Sequence, residues 1–329
     1  MNEQQTMLAD MAGSLFSALS HGATVAADWG RIEEMGFAGL LLGEEEGGFG
    51  GGWADAGIVF RLAGYHALAL PLVEAVVAAR LAADAGFAGD GFGTLAEKTE
   101  GGIDDGGFTG FLKGVAWGRE AGYVVAPSPS GGAMILSTRD AVIEKRQNAA
   151  DEPRDILRFS GAPVVPVDAD IFALGAAARS MQMAGALDAA LELAVGYVND
   201  RKQFGKPLGK LQAVQQALAV FACEAAAANS AAVGVAQALD RGDASFEVAA
   251  AKARANMAAG LGTSIGHQAH GAIGFTHEYG LHPLTRRLWS WRSEFGGEHH
   301  WTMLLGTRIA AAGADNFWAE MVRRSDPVA

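Results

Sequence analysis

The sequence predicts a mainly α protein with a small β region in its middle. Three observations carry that expectation. Apolar residues recur at helical spacing in the first third of the chain. Near Gly101 the pattern changes to short β-branched or aromatic runs separated by Gly, Pro and Asn. From Asp168 onward it returns to long, alanine-rich helical segments. Half of the 329 residues are hydrophobic and 19% are charged, so there is enough apolar surface to offset the entropy of folding, and disorder is excluded. The 45 glycines follow no three-residue period, which excludes collagen.

Each segment can be justified in turn. Ala27–Met35 has acidic and apolar residues at helical spacing and stops at Gly36. A short apolar run, 37–42, leads into GEEEGGFGGG at 43–52, where glycine density favours a loop. Two further helices are expected at 53–68 and 70–85, the second with Leu72, Val76, Val77, Ala79 and Leu81 on one side and Gly86 as its stop. Short antiparallel strands are expected at 108–112, 122–125, 133–136, 141–144, 156–159 and 163–167. These suffice for a small sheet or barrel, not a large sandwich. Met183, Leu187, Leu191, Val195 and Val198 mark a long helix ending near Arg201. Helices at 211–239, 245–271 and 298–324 follow, and long helices with short loops imply an antiparallel bundle. The expected division is an N-terminal helical domain over 1–95, a β domain over 96–167 and a helical bundle over 168–329.

Charge and composition narrow the function. With 25 basic and 37 acidic side chains the net charge is −12, which repels phosphate backbones and argues against nucleic-acid binding. Cys223 is the single cysteine, so no intrachain disulfide forms. The start, MNEQQTMLADMAG, lacks the cationic opening of a signal peptide. The stretch 256–277 contains Asn256, Thr263, Ser264, His267, Gln268 and His270, which are costly in lipid, so no membrane span is expected there. A cytoplasmic location is expected.

Most chemical motifs fail on spacing. Gly47–Gly52 does not match a dinucleotide fingerprint, and Gly205–Leu211 is one residue too short for a phosphate-binding Walker loop. Six of the eight histidines fall between His267 and His300, but no H-E-x-x-H pattern or nearby cysteine accompanies them. They are read as ordinary polar contacts, with no metal site. The informative stretch is Arg201-Lys-Gln-Phe-Gly-Lys-Pro-Leu-Gly-Lys-Leu-Gln212. It joins two long helices and sets an arginine and lysines around a Phe-Gly turn. A guanidinium there can grip a phosphate and Phe204 can cover a flat ring; a capped helix hairpin with a solvated basic end is the alternative.

This R-x-x-F-G-x-P-L-x-x-x-Q run resembles a motif of the acyl-CoA dehydrogenases, flavoenzymes that act on acyl thioesters. Gln268-Ala-His-Gly271-Ala-Ile-Gly274-Phe-Thr276-His-Glu278 resembles their Q-x-x-G-G-x-G-x-x-x-E segment, and Trp29…Gly36…Leu40-Leu-Leu-Gly-Glu44 is similar to their N-terminal helical part. The resemblance implies an N-terminal helical domain, a β domain and a C-terminal four-helix bundle that forms a dimer or tetramer core, with FAD between subunits. It implies that Arg201 meets the FAD pyrophosphate, Phe204 the adjoining cofactor, and Leu208 and Gln212 the adenosine part. Gln268, Gly271 and Ala272 would meet the diphosphate across the interface, Ala272 standing where the family usually has a second glycine.

Two departures from the family matter. The β region is short and lacks the T-E-x-x-x-G-S-D segment, and Val115-Ala116-Trp117 stands at the later W-I-[ST] segment, so Trp117 replaces a flavin-bonding hydroxyl. The family's glutamate base aligns with Phe295, and the alternative base position falls at about Gly175; Glu294 is the nearby carboxylate. Three readings follow. The chain is a half-site or non-catalytic subunit of a heteromeric acyl-CoA dehydrogenase, which is the favoured one. Alternatively it is a complete FAD enzyme, homo-dimer or tetramer, with Glu294 as a shifted base. The third is a flavin-free helical scaffold. A compact β domain would also leave room for a bulky acyl group such as a steroid side chain.

Overall fold

The computed structural model describes residues 1–19, 22–203 and 205–325. Four helices come first: α1 (Glu3–Leu19), α2 (Val25–Glu34), α3 (Trp53–Tyr65) and α4 (Leu72–Asp84). Helix α2 starts where Thr24 accepts a hydrogen bond from the Ala27 N–H, and it is followed by Gly36 at φ +73°. Helix α1 was not expected, because its polar start hides the stripe Ala12, Leu15, Phe16 and Leu19 that it buries. The 43–52 segment is a loop apart from one 3-10 turn at Glu44–Glu46.

Eight strands form the middle: β1 (Gly93–Leu95), β2 (Lys98–Asp104), β3 (Gly107–Ala116), β4 (Tyr123–Pro127), β5 (Ala133–Ser137), β6 (Val142–Glu144), β7 (Arg154–Pro163) and β8 (Val165–Val167). They make two four-stranded sheets, ordered β1-β4-β5-β8 and β2-β3-β7-β6. Phe108, Leu112, Val115, Leu157 and Phe159 of one sheet share a buried core with Val124, Ala126, Met134 and Leu136 of the other, so the β region is a small two-sheet sandwich. Strands β1 and β2 add to the expected six; β2 was hidden by its sequence, KTEGGID, which is poor in β-forming residues. The β1–β4 pair is parallel, against the antiparallel expectation.

The remainder is helical. A 30-residue helix, α5 (Ile171–Asp200), is capped by Asp170, whose carboxylate accepts from the Ala173 N–H at 3.0 Å. A two-residue hairpin, β9 (Lys202–Gln203) and β10 (Lys206–Pro207), leads to α6 (Gln212–Arg241), α7 (Ser245–His270), α8 (Leu281–Trp291), α9 (Glu298–Ala312) and α10 (Ala314–Ser325). Helices α5, α6, α7 and α8 pack as the bundle, and α3 packs against α5. The α3–α5 approach is unusually close. A side chain on Gly64 would run into the Gln182 carbonyl, and one on Gly185 into that of Arg61. The single expected helix at 298–324 is instead two, broken at Gly313, where φ is +82°.

Candidate functional site

The end of α5 and the end of α7 form the two walls of a groove of about 650 Å³. Arg201, Gln203 and Leu208 come from one side, and Gln268, Gly271 and Ala272 from the other, with Ala213 and Val214 at the start of α6. Five of the expected cofactor residues therefore meet here, although up to 71 positions separate them in sequence. Gln212 opens α6 beside Ala213 but does not line the groove. Phe204 lies outside the described residues.

Local geometry follows from the sequence. The Arg201 N–H donates to the Tyr197 carbonyl at 2.8 Å and ends α5. The Leu208 N–H then donates to the Arg201 carbonyl at 2.9 Å, closing the hairpin, and Gln215 Nε2 donates to the Gly209 carbonyl at 2.8 Å. On the other wall α7 ends at Gly271, whose φ of +64° turns the chain. Among the described residues Arg201, Lys202, Lys206 and Lys210 have no carboxylate partner. Arg201 lining the groove without a carboxylate partner, beside an exposed Gln268, is chemistry suited to a phosphorylated ligand. On this test the groove fits the diphosphate of FAD.

Trp117 and Glu294 are not at the groove. They belong to a second, buried assembly. Glu294 is 8% exposed and receives hydrogen bonds from Arg154 Nε at 2.8 Å, Arg179 Nε at 2.8 Å and Asn148 Nδ2 at 3.0 Å. Arg179 also reaches Glu74 at 2.5 Å, while Arg154 and Arg287 hold Glu152 at 3.0 and 2.9 Å. Trp291 Nε1 donates to Glu152 at 3.0 Å. Trp117, at φ +47°, lays its ring 5.1 Å from the Arg154 guanidinium. It is therefore a packing partner of an arginine here.

The assignment of Glu294 as a shifted base is corrected by this environment. Burial pushes its carboxyl up, but Arg154 and Arg179 outweigh that effect and hold it well below the usual carboxylate range. A base for an α-proton needs the opposite shift and a free lone pair. The two positions where the family resemblance sets a base meet in space. A side chain on Gly175 would overlap the Phe295 ring, and Phe295 is 4% exposed with φ +51°. Its backbone carbonyl accepts from Trp301 Nε1 at 2.9 Å. Neighbouring carbonyls are also held: Lys252 Nζ donates to those of Trp291 and Arg292 at 2.9 and 3.3 Å, and Asn256 Nδ2 to that of Gly296 at 3.3 Å. Burial lowers the Lys252 ammonium to about 7. Sequence reasoning missed Arg154, Arg179, Glu74, Glu152 and Lys252, because isolated charges in a helix or strand pattern give no sign that they are buried.

Residues 166–304 match the family model of the acyl-CoA dehydrogenase C-terminal domain. The acyl-CoA dehydrogenase FadE34 of Mycobacterium tuberculosis is 28% identical over 301 residues, 85% of this chain. The chain spans only 41% of that relative's length. The acyl-CoA dehydrogenase IpdE2 of the same organism is 29% identical over 299 residues, covering 87% of this chain and 91% of IpdE2. The crystal structure of the ChsE4-ChsE5 complex from M. tuberculosis contains a chain with the same fold at a TM-score of 0.84, with 20% identity and coverage of 95% of this chain and 99% of that one. With the family model over its bundle, matching relatives over most of its length and the same fold throughout, the chain carries the C-terminal domain of the acyl-CoA dehydrogenase family and is similar to its members along most of its length.

Proposed function

We propose that this chain is the half-site subunit of a heteromeric acyl-CoA dehydrogenase. It supplies one wall of an FAD site at a subunit interface and no catalytic base. The observation that carries this reading is Phe295 packed onto Gly175: both positions proposed for a base are apolar, and they fill each other's space. Arg201 would hold the pyrophosphate, with Gln268, Gly271 and Ala272 on its other side and Leu208 along the adenosine part. Gln212 would stand at the rim. FAD, when bound, accepts the hydride that leaves the acyl β-carbon. The chain's own share is to hold the cofactor's charged end.

A second chain is needed to complete such a groove, and the surface beside it supports one. Helix α6 is apolar and long enough by composition to cross a bilayer, yet it packs against α5 and α7 and turns Val220 and Val233 outward. Met257 and Leu261 are exposed on α7, on the way to Gln268. Uncovered apolar stripes leading to a ligand groove fit a helix-to-helix interface. The ChsE4-ChsE5 complex and the steroid dehydrogenase Tcur3481-Tcur3483, a fold neighbour at TM-score 0.86, are each named as pairs of chains. They support a heteromeric assembly and make a bulky acyl-CoA thioester a reasonable substrate class. The unpartnered cations speak against a flavin-free scaffold.

The test is the flavin spectrum of the purified chain alone and after co-expression with an acyl-CoA dehydrogenase-like partner chain. Flavin retention and dehydrogenation only with the partner are expected. Robust turnover by the chain alone, abolished by Glu294→Gln, would overturn the proposal.

A further inference from the structure

The two walls of the groove are separate in sequence, and one side chain joins them. His270 is the last residue of α7, directly before the turn at Gly271. It is 3% exposed. Its ring stacks on Tyr197 of α5 with centroids 4.7 Å apart and planes 24° from parallel. Tyr279, from the segment ahead of α8, meets the same ring edge-on at 4.9 Å, and it also meets Tyr197 at 6.0 Å. His270 Nδ1 lies 2.7 Å from the Gly266 carbonyl oxygen. Since a carbonyl only accepts, Nδ1 carries the hydrogen, and in the neutral ring Nε2 is a bare acceptor. That atom is buried without a hydrogen-bond partner.

These contacts form part of the groove itself, which Tyr197 and His270 both line. Tyr197 is the residue whose carbonyl receives the Arg201 N–H and so fixes where the basic hairpin leaves α5. Gln268 and Gly271 flank His270 on the opposite wall. A rigid ring between two tyrosines thus ties the position of the α5 end to that of the α7 end. Flat aromatic packing suits this task, because an offset stack resists sliding and a buried ring has few rotamers.

We propose that His270 is a positioning residue that sets the spacing between the Arg201 wall and the Gln268 wall, acting through its stack on Tyr197. This builds on the reading of the groove as a diphosphate site, but the strut itself needs no ligand. The ring face does the positioning, so His270→Phe preserves it and His270→Ala removes it. The Nδ1 bond to Gly266 lies within one helix turn and is secondary to the spacing between walls.

Hydrogen exchange on the full chain tests the strut without ligand. In His270→Ala, the backbone amides of Arg201 and Leu208, which close the hairpin, should exchange at least about tenfold faster than in the wild type, while strands β3 and β7 keep their rates. In His270→Phe the two amides should stay within about threefold of wild type. Unchanged exchange in His270→Ala overturns the proposal. So does His270→Phe exchanging as fast as His270→Ala. Should His270→Ala fail to fold, Tyr197→Leu takes its place, with the same expectation for the same amides. ADP is then added as the diphosphate probe. Protection of Gly271 in the wild type and in His270→Phe, with weaker protection in His270→Ala, completes the expected result. No ADP protection in any form counts against the diphosphate reading alone and leaves the exchange comparison to decide the strut.

Discussion

Replacing Glu294 with Gln separates a structural carboxylate from a catalytic one. The buried cluster holds three carboxylates, Glu74, Glu152 and Glu294, and three guanidiniums, Arg154, Arg179 and Arg287, so it is neutral as it stands. Glutamine keeps the shape but leaves a net positive charge that water cannot reach. The arginines lie 2.8 Å from the Glu294 oxygens. With charge centres about 4 Å apart and an effective dielectric of about 20, each pair is worth roughly 4 kcal/mol gross. Desolvation offsets much of that, and removal of one partner from a buried pair typically costs about 3–5 kcal/mol. Urea unfolding should show a loss of that size at unchanged slope. Adding Arg179→Met to Glu294→Gln restores neutrality, so the double variant should lose less than the sum of the two single losses. A loss below about 1 kcal/mol for Glu294→Gln would refute the reasoning, since a buried uncompensated charge cannot be that cheap.

Four further outcomes are expected. Arg201→Ala should weaken flavin retention in the assembled protein, read as flavin content per chain after gel filtration, because a phosphate loses its charged partner; unchanged content would count against the groove. Gly175→Ala should cost about 1–3 kcal/mol in thermal or urea unfolding, because its methyl meets the Phe295 ring, and Phe295→Leu should relieve part of the loss. Lys252 gives a pH dependence of definite sign. Its ammonium is lowered from 10.5 to about 7 on folding, so between those values the unfolded chain holds a proton that the folded chain has released. Stability from this group therefore rises with pH across that window, and Lys252→Met should flatten the slope of the urea midpoint there. Glu294 behaves as a depressed carboxylate: its contribution is present above the unfolded value of about 4.3 and is lost as the pH falls through its folded value, so Glu294→Gln should remove part of the acid-unfolding slope.

Much of the architecture was legible because it rests on local patterns. Helical spacing in Met183–Val198 and the Gly/Pro breaks between strands report their own structure within one window. The two motifs at Arg201 and Gln268 were legible as segments, and the groove they share follows from the bundle bringing helix ends together. The cluster at Glu294 was not legible. Arg179 and Arg154 are 115 and 140 positions away, and nothing in either neighbourhood announces the contact. In the sequence Phe295 and Gly175 are two places without a carboxylate, but only the fold reveals that one fills the space of the other. The broken last helix turned on Gly313, a residue tolerated within helices and also suited to ending them.

The balanced cluster also says something about the order in which the chain can become stable. Glu74 comes from the first helices, Glu152 and Arg154 from the β region, Arg179 from the first bundle helix, and Arg287 and Glu294 from the last third. During synthesis Arg154 and Arg179 emerge more than a hundred residues before Glu294. Glu74, Glu152, Arg154 and Arg179 already balance in charge, but until Arg287 and Glu294 arrive Arg154 and Arg179 lack the carboxylate they share and Glu152 lacks its second guanidinium. The cluster that joins all three parts of the chain is therefore completed only when the last third of the polypeptide has been made.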